Sequence, residues 1–100
     1  MSSIETSPIP DSTATDPTGD WWVYMILADD QSIYTGISTD PERRFEQHLS
    51  GKGARFFRGR QPLRFLYKEA GHTRSSASKR EVSIKKLSRP QKLALVATQA

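Results

Sequence analysis

Two apolar runs separated by a short polar stretch constrain this chain more than any other feature. The first is Trp21-Trp22-Val23-Tyr24-Met25-Ile26-Leu27 and the second is Ser32-Ile33-Tyr34-Thr35-Gly36-Ile37. Both are rich in β-branched and aromatic residues, and Ala28-Asp29-Asp30-Gln31 between them supplies turn chemistry. They specify an antiparallel hairpin. The expected register sets Tyr24 opposite Tyr34 and Trp22 opposite Gly36. It gathers Trp21, Val23 and Met25 on one face with Ile33, Thr35 and Ile37, whereas a slip by one residue would send the two tyrosines to opposite faces.

The hairpin feeds a helix almost at once. Asp40 is a good N-cap, Pro41 suits the first helical position and Glu42 complements the helix dipole. Phe45 and Leu49 form the expected buried stripe, with Arg44 and His48 as a second i, i+4 pair beside it. Gly51 ends the helix. A loop over 50–61 precedes a third strand, Pro62 to Ala70, in which Leu63, Phe65 and Tyr67 alternate with Arg64, Leu66 and Lys68. A second helix is expected from about Ser75 to Leu87. Ser88 and Pro90 then reset the chain for a short helix, Gln91 to Ala97. The order β-β-α-β-α-α implies an α+β fold, a small three-stranded antiparallel sheet flanked by helices.

One hundred residues make one domain. Residues 1–19 are mostly Ser, Thr, Pro and Asp, too polar to offset their ordering entropy, and read as a disordered acidic tail before a domain over 20–97. Residues 1–20 carry Glu5, Asp11, Asp16 and Asp20 and no Lys or Arg. All 15 basic residues follow, so the net +4 conceals a strongly basic domain. Such a domain favours polyanions such as nucleic acid, ribosomal RNA or anionic membrane, unless its charge merely forms a solvated surface. The absence of cysteine excludes disulfides and thiolate metal sites and fits a reducing cytoplasm. No apolar run is long enough to span a membrane, and neither a membrane partner nor a secretory signal is expected.

Within 25 residues the chain places two phenols (Tyr24, Tyr34), a phosphate-grade cation (Arg44, with Arg43 as its competitor) and an imidazole (His48). A strand phenol can pack as an ordinary cross-strand aromatic, or it can orient a water for attack on phosphorus. Arg44 suits bidentate phosphate contact or is simply an exposed helix arginine. His48 suits proton transfer or help in ionising a tyrosine, or is a dipole-compatible surface group at the helix end. Glu81 is open between an i, i+4 ion pair with Lys85 and a single-carboxylate Mg²⁺ site. In the 50–61 loop, Lys52, Arg55, Arg58 and Arg60 interleave with Phe56-Phe57. The phenylalanines either stack on bases or plug the core.

Together these residues resemble the GIY-YIG nuclease superfamily, most closely its short stand-alone bacterial branch, the YhbQ-like proteins. The resemblance lies in Val23-Tyr24, Tyr34-Thr35-Gly36, Asp40 through His48, Ser50-Gly51-Lys52-Gly53-Ala54, and Arg80-Glu81 with Ile84 through Arg89. It implies a metal-dependent endonuclease acting on DNA, in branched, nicked or single-stranded form, with a role in repair or recombination. By matching position, Tyr24 and Tyr34 would position or activate water, Arg44 would hold the scissile phosphate, and His48 would assist proton movement. Glu81 would be the sole protein ligand of Mg²⁺ or Mn²⁺. Arg43, Lys52, Arg55, Arg58, Arg60, Lys85 and Lys86 are the expected nucleic-acid contacts. Trp22-Val23 stands where the family has Gly-Ile, and no Asn follows the glutamate in 87–100 as it does in larger relatives. A non-catalytic nucleic-acid-binding domain on the same scaffold is the alternative. A third possibility is an interaction module whose acidic tail covers the basic face.

Overall fold

The structure is a computed structural model that describes residues 19–99; the tail expected over 1–19 lies outside them except for Gly19. Strands β1 (Trp21–Ala28), β2 (Ile33–Ser38) and β3 (Pro62–His72) form one antiparallel sheet in the order β2-β1-β3. Helices α1 (Pro41–Leu49), α2 (Arg74–Lys85) and α3 (Arg89–Ala97) flank it, and a 3₁₀ turn at Arg55–Phe57 lies in the 50–61 loop. This is the expected α+β arrangement.

Central β1 is covered on both faces, which is why its apolar run contains no charged residue. Val23 and Met25 pack with Tyr67, Ala77 and Ile84, joined by Leu95 and Val96 of α3. Tyr24, Ile26 and Ala28 pack with Phe57 on the other face, where Tyr34, Phe45, Phe56 and Phe65 close over them.

The hairpin register departs from the expected one. Tyr24 pairs with Gly36, Ile26 with Tyr34, and Trp22 with Ser38. The Ala28 N–H donates to the Ser32 carbonyl at 2.9 Å, and Gln31 adopts a left-handed conformation with φ 72°. The loop is thus Asp29–Gln31, a three-residue connection that closes on a left-handed residue. It is pinned from outside: Arg60 Nε donates to Asp30 Oδ2 at 2.7 Å, and Arg89 Nη1 to the Gln31 carbonyl at 2.6 Å. A two-residue shift preserves face parity, so both tyrosines still share a face, as diagonal rather than opposite neighbours.

β3 continues past Ala70 to His72 and breaks the expected alternation. Met25 pairs with Tyr67 while the next residue, Ile26, pairs with Phe65, so Leu66 is the extra residue of a bulge. Phe65 and Tyr67 therefore enter opposite cores, and Leu63 is exposed.

The helix starts follow their caps. Asp40 accepts from the Arg43 N–H at 3.1 Å. Thr73 and Ser88 each form a capping box, with Ser76 and Gln91, starting α2 and α3 at Arg74 and Arg89 rather than Ser75 and Gln91. α2 ends at Lys85, before the expected Leu87. The inward face of α1 also differs from expectation. Leu49 is 47% exposed, whereas His48 is 1% exposed and takes the core position.

Candidate active site

The site begins at Gly36, opposite Tyr24 on the edge strand β2. A Cβ on Gly36 would lie 2.7 Å from the Tyr24 hydroxyl oxygen and 2.8 Å from Tyr34 Cε2. Both aromatic side chains therefore lie across this glycine, and any side chain there would displace them. The rings are 6.2 Å apart with planes tilted by 48°. Tyr24 is fully buried and Tyr34 is half-buried, so of the two phenols only Tyr34 reaches solvent.

His48 is held from three sides. The Ala54 N–H donates to Nδ1 at 3.1 Å, the Phe57 ring lies 4.5 Å away, and Nε2 stands 3.4 Å from the Tyr24 hydroxyl. Since Nδ1 accepts, the neutral ring carries its proton on Nε2 and presents it to the Tyr24 oxygen. Burial, with Arg44 adding repulsion, pushes the His48 pKa down to about 4. At neutral pH this histidine is a fixed neutral donor with its second nitrogen occupied. That geometry suits orienting Tyr24 better than the expected proton shuttling.

Arg44 is the electrostatic hinge of the cluster. Its Nη1 donates to Gln47 Oε1 at 2.7 Å, and it hydrogen-bonds Tyr24. Burial raises the pKa of Tyr24 strongly, the Tyr34 phenol adds to the rise, and Arg44 opposes it. Tyr34 is raised too, by burial first and by Glu81, while Arg44 and a hydrogen bond from Tyr24 counteract this. Both phenols are protonated at neutral pH; the His48 Nε2–H faces the Tyr24 oxygen, and the Arg44 guanidinium acts electrostatically on both phenols.

Glu81 comes from α2, which packs on β1 and β2 from the opposite face. Its charge acts on both phenols, so the four elements converge at the β2 edge. Its carboxylate also makes the i, i+4 pair with Lys85, at 3.4 Å. No group of three or more His, Cys, Asp or Glu side chains is assembled among the described residues. One partly exposed carboxylate is a donor set that fits a hard divalent cation whose other ligands are waters and phosphate.

The expected nucleic-acid contacts divide into two groups. Arg43, Lys52, Arg55, Arg58 and Lys86 are exposed and form no ion pair with a described residue. Arg60 is committed to structure: it bonds Asp30, donates to the Phe56 carbonyl at 2.9 Å and stacks 4.4 Å above the Phe56 ring. Lys85 is paired with Glu81. Phe57 is buried, and Phe56 is half-buried 5.3 Å from Tyr34, so the phenylalanines plug the core.

The GIY-YIG catalytic domain matches residues 20–94, three quarters of the chain and every residue of the cluster. The chain belongs to the GIY-YIG family. A UPF0213 protein of Cupriavidus necator is 49% identical over 77 residues, covering 77% of this chain and 84% of that protein. The UPF0213 protein YhbQ of Escherichia coli is 44% identical, covering 77% of each chain. Among solved structures, the EF2693 protein of E. faecalis aligns with a TM-score of 0.54 at 40% identity, over 77% of this chain and 82% of that one. The UPF0213 protein BH0048 of Bacillus halodurans aligns at 0.50 with 41% identity, over 78% and 83%. The domain match together with these UPF0213 relatives supports a nuclease-like fold and a YhbQ-like protein.

Sequence reasoning missed Gly53. A Cβ there would sit 2.0 Å from His48 Nδ1. Gln47, beside His48 in sequence, is likewise not marked by the sequence as the partner of Arg44. In the Ser50–Ala54 motif Gly53 stands out only by its residue type, since its contact with His48 exists only once the loop folds back over α1.

The neutral buried His48 makes stability pH-dependent. The unfolded chain takes up a proton near 6.5 and the folded chain only near 4, so stability is complete above pH 6.5 and falls as pH drops through that window. The expected loss is about 3 kcal/mol. Urea titrations between pH 7 and 4 should follow it, and His48→Gln should flatten the curve over that range. A His48→Gln curve as steep as that of the intact protein would assign the loss to other groups.

Proposed function

We propose that this chain is a metal-dependent endonuclease that hydrolyses phosphodiester bonds in DNA, working in repair or recombination. The observation that carries the reading is the convergence of a half-exposed phenol, a guanidinium and a carboxylate at one sheet edge. Tyr34 orients the attacking water, and Tyr24, inaccessible itself, acts through Tyr34. Arg44 holds the scissile phosphate and offsets the charge that develops on its oxygens. His48 fixes Tyr24 from behind. Mg²⁺ or Mn²⁺ on Glu81 would supply the positive charge that stabilises the phosphorane-like transition state and favours loss of the water's proton. Exposed Arg43, Lys52, Arg55, Arg58 and Lys86 would follow the phosphate backbone, weakening binding as salt rises.

The second reading, a nucleic-acid-binding domain without turnover, draws support from the Glu81–Lys85 pair, which competes with a metal for the same carboxylate. Cleavage assays separate the two. Supercoiled, single-stranded and branched DNA should be cut by the intact protein with Mg²⁺ or Mn²⁺ and not with a chelator, and Glu81→Ala should abolish cutting while leaving DNA retention in place. Retention without metal-dependent cutting on every substrate would establish the binding reading instead.

A further inference from the structure

We infer that Glu69 is a positioning residue for Glu81: by gripping Arg80, it sets the roll of α2 and thereby the direction in which the adjacent Glu81 presents its carboxylate. The inference rests on the proposed role of Glu81 as the metal ligand. α2 needs such a grip because its apolar seam is narrow. Only Ala77 and Ile84 are buried, while Ser75, Ser76, Lys79, Val82, Ser83 and Lys85 are exposed. A methyl group and one isoleucine resist rotation weakly. At about 100° per residue, Arg80 and Glu81 fall on opposite flanks of this seam, each roughly 50° from it.

Arg80 is held on the β3 flank. Its Nε lies 3.3 Å and 3.1 Å from the two carboxylate oxygens of Glu69. Glu81 is thereby turned to the β2 flank, where its charge acts on Tyr24 and Tyr34. The grip is itself braced. The Tyr67 hydroxyl donates to Glu69 Oε1 at 2.5 Å, and His72 Nε2 contacts Oε2 at 2.5 Å. His72 Nδ1 lies 2.9 Å from Ser76 Oγ in the first turn of α2. Burial would raise the Glu69 pKa, but hydrogen bonds from Tyr67, His72 and Arg80 hold it below the usual carboxylate range. Three residue types that donate to one carboxylate make it a fixed anchor, which an isolated surface ion pair is not.

The test measures Mn²⁺ on the full chain. Affinity is read by electron paramagnetic resonance of free Mn²⁺, and location by broadening of the Tyr34 ring signals in NMR. Glu81→Gln is the reference and should remove the Tyr34 broadening. Glu69→Ala should weaken Mn²⁺ binding about tenfold and reduce the broadening even at saturation. Arg80→Ala should do the same, with partial rescue in Arg80→Lys. If Glu69→Ala does not fold, Glu69→Gln, which keeps shape but not charge, carries the same comparison with a smaller loss. Folded Glu69 variants with unchanged affinity and broadening, beside a defective Glu81→Gln, would overturn the positioning role and leave the metal reading intact. Unchanged Mn²⁺ binding in Glu81→Gln would instead overturn the metal reading and this inference with it.

Discussion

Tyr34→Phe is expected to slow metal-dependent DNA cleavage by about 10²–10⁴-fold, the range for loss of a group that orients or deprotonates the nucleophile, at a stability cost of about 1 kcal/mol. Tyr24→Phe should divide its effect differently. Tyr24 is fully buried and cannot touch water or substrate, yet its oxygen receives the His48 Nε2–H. Its removal leaves that donor unpaired inside the protein, costing about 1–3 kcal/mol, and lowers the rate only through a less well oriented Tyr34. Single-turnover cleavage rates with denaturant melts on both variants read the two effects separately. Equal rate losses with equal stability losses would show that the phenols act as one unit. A full-rate Tyr34→Phe would remove Tyr34 from the chemistry.

The asymmetry of the two tyrosines marks where the sequence stops being informative. The hairpin, the Asp40-Pro41 helix start and the shared face of Tyr24 and Tyr34 are local, because residue spacing and cap chemistry decide them. Face parity survived even though the turn closes on Gln31, which moves the pairing by two residues. Which tyrosine is buried was not legible, since it depends on β1 lying between β2 and β3. That order is a long-range outcome, and so is the bulge at Leu66 that sends Phe65 beneath Tyr24, with ring centroids 5.8 Å apart. What is legible is not uniform along the chain, as α1 illustrates. Its i, i+4 pattern offered Leu49 to the core, yet Gly53 and Phe57 fold back to make an enclosure for an imidazole instead. Glu69 has Tyr67 and His72 as near neighbours on β3, but the partner that gives it its role, Arg80, meets it only across the β3–α2 junction.

Gly53→Ala should be the most destabilising of the glycine substitutions in the loop that follows α1, and it acts through contact rather than backbone conformation. Gly51 has φ +81° and open space around its missing Cβ, so alanine there meets only left-handed strain, about 1 kcal/mol. At Gly53 the new methyl would sit 2.0 Å from His48 Nδ1 and 2.8 Å from His48 Cα. The Cα belongs to the helix backbone and cannot swing aside, so the loop must retreat. Retreat breaks the Ala54 N–H to Nδ1 bond and leaves a buried ring nitrogen without its donor. Overpacking and the lost partner together cost about 2–5 kcal/mol. For a domain of this size each kcal/mol lowers the melting temperature by about 4–8 °C, so thermal melts distinguish the two alanine variants easily. The same retreat frees Nδ1 to accept a proton, so Gly53→Ala should also shift His48 titration, followed by NMR, upward from about 4 toward the ordinary histidine range. A Gly53→Ala protein with a melting temperature equal to that of Gly51→Ala and an unmoved His48 would mean that the loop yields without disturbing the imidazole.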